Sequence, residues 1–248
     1  MGLFDLFSSS PEKKIDKAKQ VMLNEHHQHQ VRQQATYDLS QFDNDLAARA
    51  LIERLTVNFR DTIKNEQERG WVRSVLTEQF QERAIEPLKE ALDGAAQNAY
   101  SVSGIIQVLR DLITEDALTA LLIDTLSALS AKDHRSVELR MQLIDALDEQ
   151  EGEITDALLP FTVDHSDDIR IKVINLIEER LRGEEGDHSK VISALISAMT
   201  DPFASGRTAR ASAQALIRMG ANLEPFIEEL SDQVPEDYKL EGGYLVER

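Results

Sequence analysis

Leu158 to Glu179 read LLPFTVDHSDDIRIKVINLIEE, and the two halves of this stretch follow different rules. In the second half the apolar residues Ile169, Val173 and Ile177 recur every four positions, the period of a helix with one buried stripe. In the first half Pro160 interrupts an apolar run, and Asp164 and Asp168 read as an Asp-rich turn and N-cap ahead of the helix. ALTALLIDTLSAL, Ala117 to Leu129, shows the same spacings of three and four. Period-two alternation and Asn-Gly turn signals are almost absent, so the chain reads as all-α.

The pattern around Ile169 recurs. An apolar residue followed by arginine, with apolar residues four and eight positions after the first, occurs as Val31-Arg32, Val72-Arg73, Leu139-Arg140, Ile169-Arg170 and Ala209-Arg210. A weaker copy, Val102-Ser103, lacks the arginine. The copies lie about 30–40 residues apart, the period of a helical repeat. Another amphipathic helix precedes each, at about 11–24, 43–59, 84–93, 115–130, 153–162 and 188–200. One such pair cannot bury its apolar stripe alone, whereas stacked pairs bury a continuous one.

Units of this length, with Pro in or after the first helix, Asp in the turn and an apolar-Arg pair in the second helix, resemble HEAT repeats. Pro160, Asp164, Asp168 and Arg170 stand in the family positions, as do Asp201 and Arg210 in ALISAMTDPFASGRTARASAQALIRMG. The resemblance covers about residues 11–232 and implies a right-handed α-solenoid of about six HEAT-like helical hairpins. It departs at Ser103 and at FRDTIKNEQERG, residues 59–70, which reads as a long turn. It further implies that Asp164, Asp168, Arg170, Asp201 and Arg210 form a structural ladder between neighbouring repeats. The expected organisation is an apolar segment at 1–10 and repeats at 11–41, 42–82, 83–114, 115–150, 151–185 and 186–222. A partial helix then reaches 232, and a tail at 233–248 covers the end of the last repeat.

Composition narrows the functions open to such an array. Cysteine is absent, which removes disulfides and thiolate chemistry and fits a reducing compartment. The start lacks the pattern of a secretory signal, and no apolar run is long enough to span a bilayer, so a soluble, cytoplasmic protein is expected. A net charge of −18 repels phosphate backbones, and aromatic residues make up only 5%, against general nucleic-acid binding. Leu3, Phe4, Leu6 and Phe7 form an apolar patch too short and too acidic for stable membrane insertion.

Catalytic signatures are missing. Phosphate loops, dinucleotide fingerprints, zincin motifs and nucleophile elbows do not occur. DHSDD, Asp164 to Asp168, lacks the Gly and Glu that a calcium loop needs. Trp71 beside Arg73 would suit a damaged-base pocket, but the field of the whole chain has the wrong sign. The histidines His26, His27, His29, His134 and His165 all fall in turns within repeats. In that register they read as polar residues of solvated turns, and no metal, cofactor or catalytic residue is expected. The alternative is a metal-dependent hydroxylase or lyase of the kind found on some HEAT folds, using these turn histidines.

The turns between repeats are acidic. DALDEQEGEITD, Asp145 to Asp156, holds no base, and EEGD follows at Glu184 to Asp187. Asp148, Glu149, Glu151, Glu153, Glu184 and Glu185 are therefore candidates for an edge that docks a basic segment of a protein partner. Gln33, Gln34, Arg140, Lys172 and Arg207 are expected to face solvent on the second helices. The expected function is a non-catalytic protein-interaction scaffold or adaptor.

Overall fold

The computed structural model describes residues 10–98, 101–184, 186–230 and 233–248. Helix dominates, as the apolar spacing requires, and the chain divides into two compact units, 1–121 and 122–248. No described helix is long and apolar enough to cross a membrane. The expected segment 1–10 lies outside the described residues except for Ser10.

In the first unit α1 (Pro11–Met22) starts where Ser10 Oγ accepts the Lys13 amide, with Pro11 supplying a preset φ. It packs against α2 (His29–Ser40) and α3 (Asp45–Thr56). Asn44 caps α3 through the Ala47 amide at 3.0 Å, and Asp61 caps α4 (Thr62–Val75) through the Lys64 amide at 3.1 Å. Then follow α5 (Glu82–Asn98) and α6 (Ser103–Leu112). Leu51 and Leu55 of α3, Leu88 and Leu92 of α5, and Ile105 and Leu109 of α6 are all buried at helical spacing. Each buried leucine contributes about 1.5–3 kcal/mol relative to exposure.

The stretch 59–70, expected as a long turn, is mostly helix, because Asp61 caps α4 and the helix runs from Thr62. The buried line of α4 is Asn65, Glu68, Val72 and Val75, so polar residues occupy its first two core positions, those inside 59–70, and erase the apolar signal there. The helix passes into a π-helical segment, Leu76–Phe80, and the chain leaves it through Gln81 at φ 52°.

The division between the units falls inside α7 (Glu115–Ser127). In the second unit a 3₁₀ turn, His134–Ser136, leads into α8 (Val137–Asp148). The single turn α9 (Thr155–Leu158) changes to a 3₁₀ segment, Leu159–Val163, where Pro160 enters. Then come α10 (Asp167–Leu181), α11 (Ser189–Thr200) and α12 (Gly206–Arg218), packed on one another. Ile169, Val173 and Ile177, the stripe of the opening stretch, are buried.

After α12 a 3₁₀ turn, Glu224–Phe226, and α13 (Ile227–Leu230) precede a hairpin of β1 (Tyr238–Glu241) and β2 (Tyr244–Glu247). Gly242 and Gly243 take φ of 58° and 85°, the two positive values that a two-residue hairpin turn needs. Tyr238 and Leu245 are buried, β2 packs on α12, and the Leu223 amide donates to the Gly243 carbonyl at 2.7 Å.

Candidate functional site

The histidine loop is tied to a buried carboxylate. Asn24 Oδ1 accepts the His26 amide at 3.0 Å, which sets the turn after α1. Glu25 accepts the Arg60 amide at 2.8 Å, and Arg32 donates to the carbonyls of Glu25 and His27. His26 and His27 remain exposed, whereas His29 opens α2 and places Nδ1 2.7 Å from Glu68. Glu68 also accepts from Arg32 at 2.7 Å and from Arg54 at 2.9 Å. Arg54 is fully buried, bonds Asn65 Oδ1 at 2.9 Å and stacks its guanidinium 4.0 Å from the Phe59 ring.

Burial pushes the Glu68 carboxyl up, but hydrogen bonds from Arg32, His29 and Arg54 outweigh it and hold the group below its ordinary range. Burial lowers the Arg54 guanidinium, against the opposing pull of Glu68. A carboxylate so saturated stays ionised and is a poor proton acceptor. Its chemistry is that of a clamp joining α2, α3 and α4. The sequence reading placed neither Glu68 nor Arg54. Polar residues at a helical spacing, Asn65 and Glu68 ahead of Val72, were the available signal.

In the second unit the rings of His134 and His165 meet edge to face with centroids 3.7 Å apart. The His165 amide donates to the Ala131 carbonyl at 2.8 Å, which brings the two turns together. Among the described residues no three His, Cys, Asp or Glu side chains converge as a metal site would require.

The arginines of the recurring apolar-Arg pattern behave alike. Arg32 pairs with Glu68, Arg73 with Asp111, Arg140 with Asp164, Arg170 with Asp201 and Arg210 with Asp237. In each case the carboxylate lies further along the chain, by 36, 38, 24, 31 and 27 residues respectively. Arg140 and Asp164 are fully buried and joined by two parallel bonds of 2.7 and 2.9 Å. Arg140, expected to face solvent, is therefore a core residue: Asp164 and the carbonyls of Ser130 and Asp133 satisfy its donors. Arg170 bonds the Asp164 carbonyl and the Asp201 carboxylate, so these three candidates stand together. Asp168 does not join them; it is exposed, 3.7 Å from Arg207. Its neighbour Asp167 turns inward and accepts from Thr208 at 2.9 Å and from the Ser205 amide at 3.4 Å. Arg210 is exposed and reaches Asp237 beside the hairpin.

The acidic stretch after α8 is organised by two cations. Lys172 bonds Asp148 at 2.6 Å and Asp145 at 3.2 Å. Arg180 collects the carbonyls of Leu147, Asp148, Gln150 and Gly152, compensating the negative end of α8. Glu153 caps the Thr155 amide at 2.8 Å, while Glu149, Glu151 and Glu184 are exposed. Glu185 lies outside the described residues.

One surface feature stands apart from these clamps. Between α1 and α2 an open groove of about 950 Å³ has an apolar floor of Ala18, Val21, Val31 and Ala35, continued by Phe42. Lys13, Lys14 and Lys17 line its α1 side, and Gln34 and Asp38 its α2 side. Comparison with protein-family models, with curated proteins and with solved structures returned no match for this chain.

Proposed function

We propose that this chain is a non-catalytic protein-interaction scaffold built from HEAT-like helical hairpins stacked as a right-handed solenoid. The observation that carries the reading is the open groove on α1 and α2, an apolar floor rimmed by Lys13, Lys14 and Lys17. The arginine-to-carboxylate links from each apolar-Arg helix support the repeat reading, since they recur with the sequence pattern. On this reading the acids Asp148, Glu149, Glu151, Glu153 and Glu184 form a second docking edge, suited to a basic segment.

The contact of His134 with His165 favours one competing reading, a metal-dependent enzyme that recruits turn histidines. A native pull-down with mass spectrometry separates the two. It compares the wild type with a variant carrying Asp148→Asn, Glu149→Gln, Glu151→Gln and Glu153→Gln, at low and moderate salt. The scaffold reading expects a stoichiometric protein partner at low salt. A stoichiometric bound metal with no partner at either salt would refute it.

A further inference from the structure

We propose that the groove between α1 and α2 docks an acidic amphipathic helix of a partner protein. This rests on the scaffold reading and names one of its partners by chemistry. The floor is made of small or branched side chains, with Ala18 and Val21 one turn apart on α1 and Val31 and Ala35 one turn apart on α2. Small floors let a third helix approach to about 8–10 Å. Val31 is 43% exposed although it sits in the first turn of a helix whose Arg32, Ala35 and Leu39 are buried. Helices the length of α1 and α2 run about 18 Å, which matches a docked helix of three turns with apolar anchors at i, i+3 or i+4, and i+7.

Charge selects the occupant. Lys13, Lys14 and Lys17 are exposed on the rim, and among the described residues none of their ammonium groups has an ion-pair partner. Lys19, on the same helix, pairs instead with Glu53. Lys13 and Lys14 lie near the N-terminus of α1, where the helix dipole disfavours cations, so helix stability does not explain them. In a chain of net charge −18 an unpaired cationic rim favours an anionic visitor, and the apolar floor asks for side chains rather than phosphates. A second copy docked face to face would set the lysine rims against each other. The chain's own residues 1–9 offer one acid, Asp5, to three lysines.

The test uses the full chain and two labelled synthetic helical peptides of about four turns. Both carry leucine at helix-spaced positions, flanked by Glu in one and by Lys in the other, and binding is read by fluorescence anisotropy. The Glu peptide is expected to bind and the Lys peptide to bind roughly tenfold more weakly or not at all. Reversal at Lys13→Glu, Lys14→Glu and Lys17→Glu is expected to invert that preference. Val31→Asp is expected to abolish binding of both without moving the melting curve. Equal binding of both peptides, or a preference that lysine reversal leaves unchanged, would overturn the proposal. So would lysine-dependent self-association, lysine-dependent capture of phosphatidylserine vesicles with no peptide binding, or Glu-peptide binding that needs deletion of residues 1–9. The pull-down variant alters a different surface, so a failed groove leaves a stoichiometric partner of the acidic edge, and with it the scaffold, intact.

Discussion

Glu68→Gln removes one charge from the middle of the first unit while keeping the volume. The wild-type carboxylate faces Arg32 and Arg54, whose side chains are 6% and 0% exposed, together with His29. Glutamine offers one acceptor oxygen and turns an NH₂ donor toward a guanidinium that is itself only a donor. Two buried cations then share no counter-charge, and breaking a buried pair in this way costs about 3–5 kcal/mol. Trp71 is the chain's sole tryptophan and lies in the same helix, so its fluorescence during urea unfolding reports this unit. With a urea dependence of about 2 kcal/mol per molar, the midpoint should fall by about 2 M. Glu66→Gln, with a side chain 68% exposed, is the control and should cost less than about 0.5 kcal/mol. The pH dependence has a definite sign. The Glu68 carboxyl is held below its ordinary value of 4.5, so its contribution is fully present above that value and is lost as pH falls through the folded one. The gap between wild type and Glu68→Gln should therefore be constant at neutral pH and narrow in acid. A loss within about 1 kcal/mol of the control, or a gap that widens as acid is added, would refute the clamp.

Asp164→Asn should destabilise by about 3–5 kcal/mol, because it strands the buried Arg140, whereas Asp168→Asn should stay within about 0.5; amide exchange across α8 and α10 distinguishes them. Gln81→Gly should raise stability by about 1 kcal/mol, since a side chain at φ 52° is strained, and a loss in Trp71-monitored unfolding would refute that. Gly243→Ala should cost about 2 kcal/mol and Gly242→Ala about 1, because only the former sets a Cβ 2.8 Å from Glu224 Cγ. Thermal melts of the two variants that fall in the reverse order would count against the hairpin turn.

Most helix positions were readable where the buried face is apolar; the exception is the helix expected at 153–162, which is one α turn, Thr155–Leu158, followed by a 3₁₀ segment where Pro160 enters. Ala117 to Leu129 and Ile169 to Leu181 announce α7 and α10 closely because leucine and isoleucine mark their stripes. The same rule failed at 59–70, where the inward line is Asn65 and Glu68 and the partners that make it tolerable come from two other helices. Arg140 failed for the converse reason. An arginine belongs in solvent by default, and only a carboxylate 24 residues away reverses that. Asp167 and Asp168 are adjacent and chemically identical, so no pattern could say which turns toward Thr208. The groove was also hidden. Its floor and rim come from two helices, and Val31 carries the same letter whether its face is covered or open.

The forward direction of the arginine links has a consequence for synthesis. Each guanidinium leaves the ribosome 24–38 residues before its carboxylate, which at about 5–20 residues per second is a wait of about 1–8 s. A stalled or C-terminally truncated chain therefore ends on an arginine with no mate, and arginine cannot discard its proton. Trimming from the N-terminus orphans a carboxylate instead, which neutralises itself by taking up a proton. At these five links, erosion from the beginning of the chain leaves groups that can shed their charge, whereas an unfinished end leaves groups that cannot.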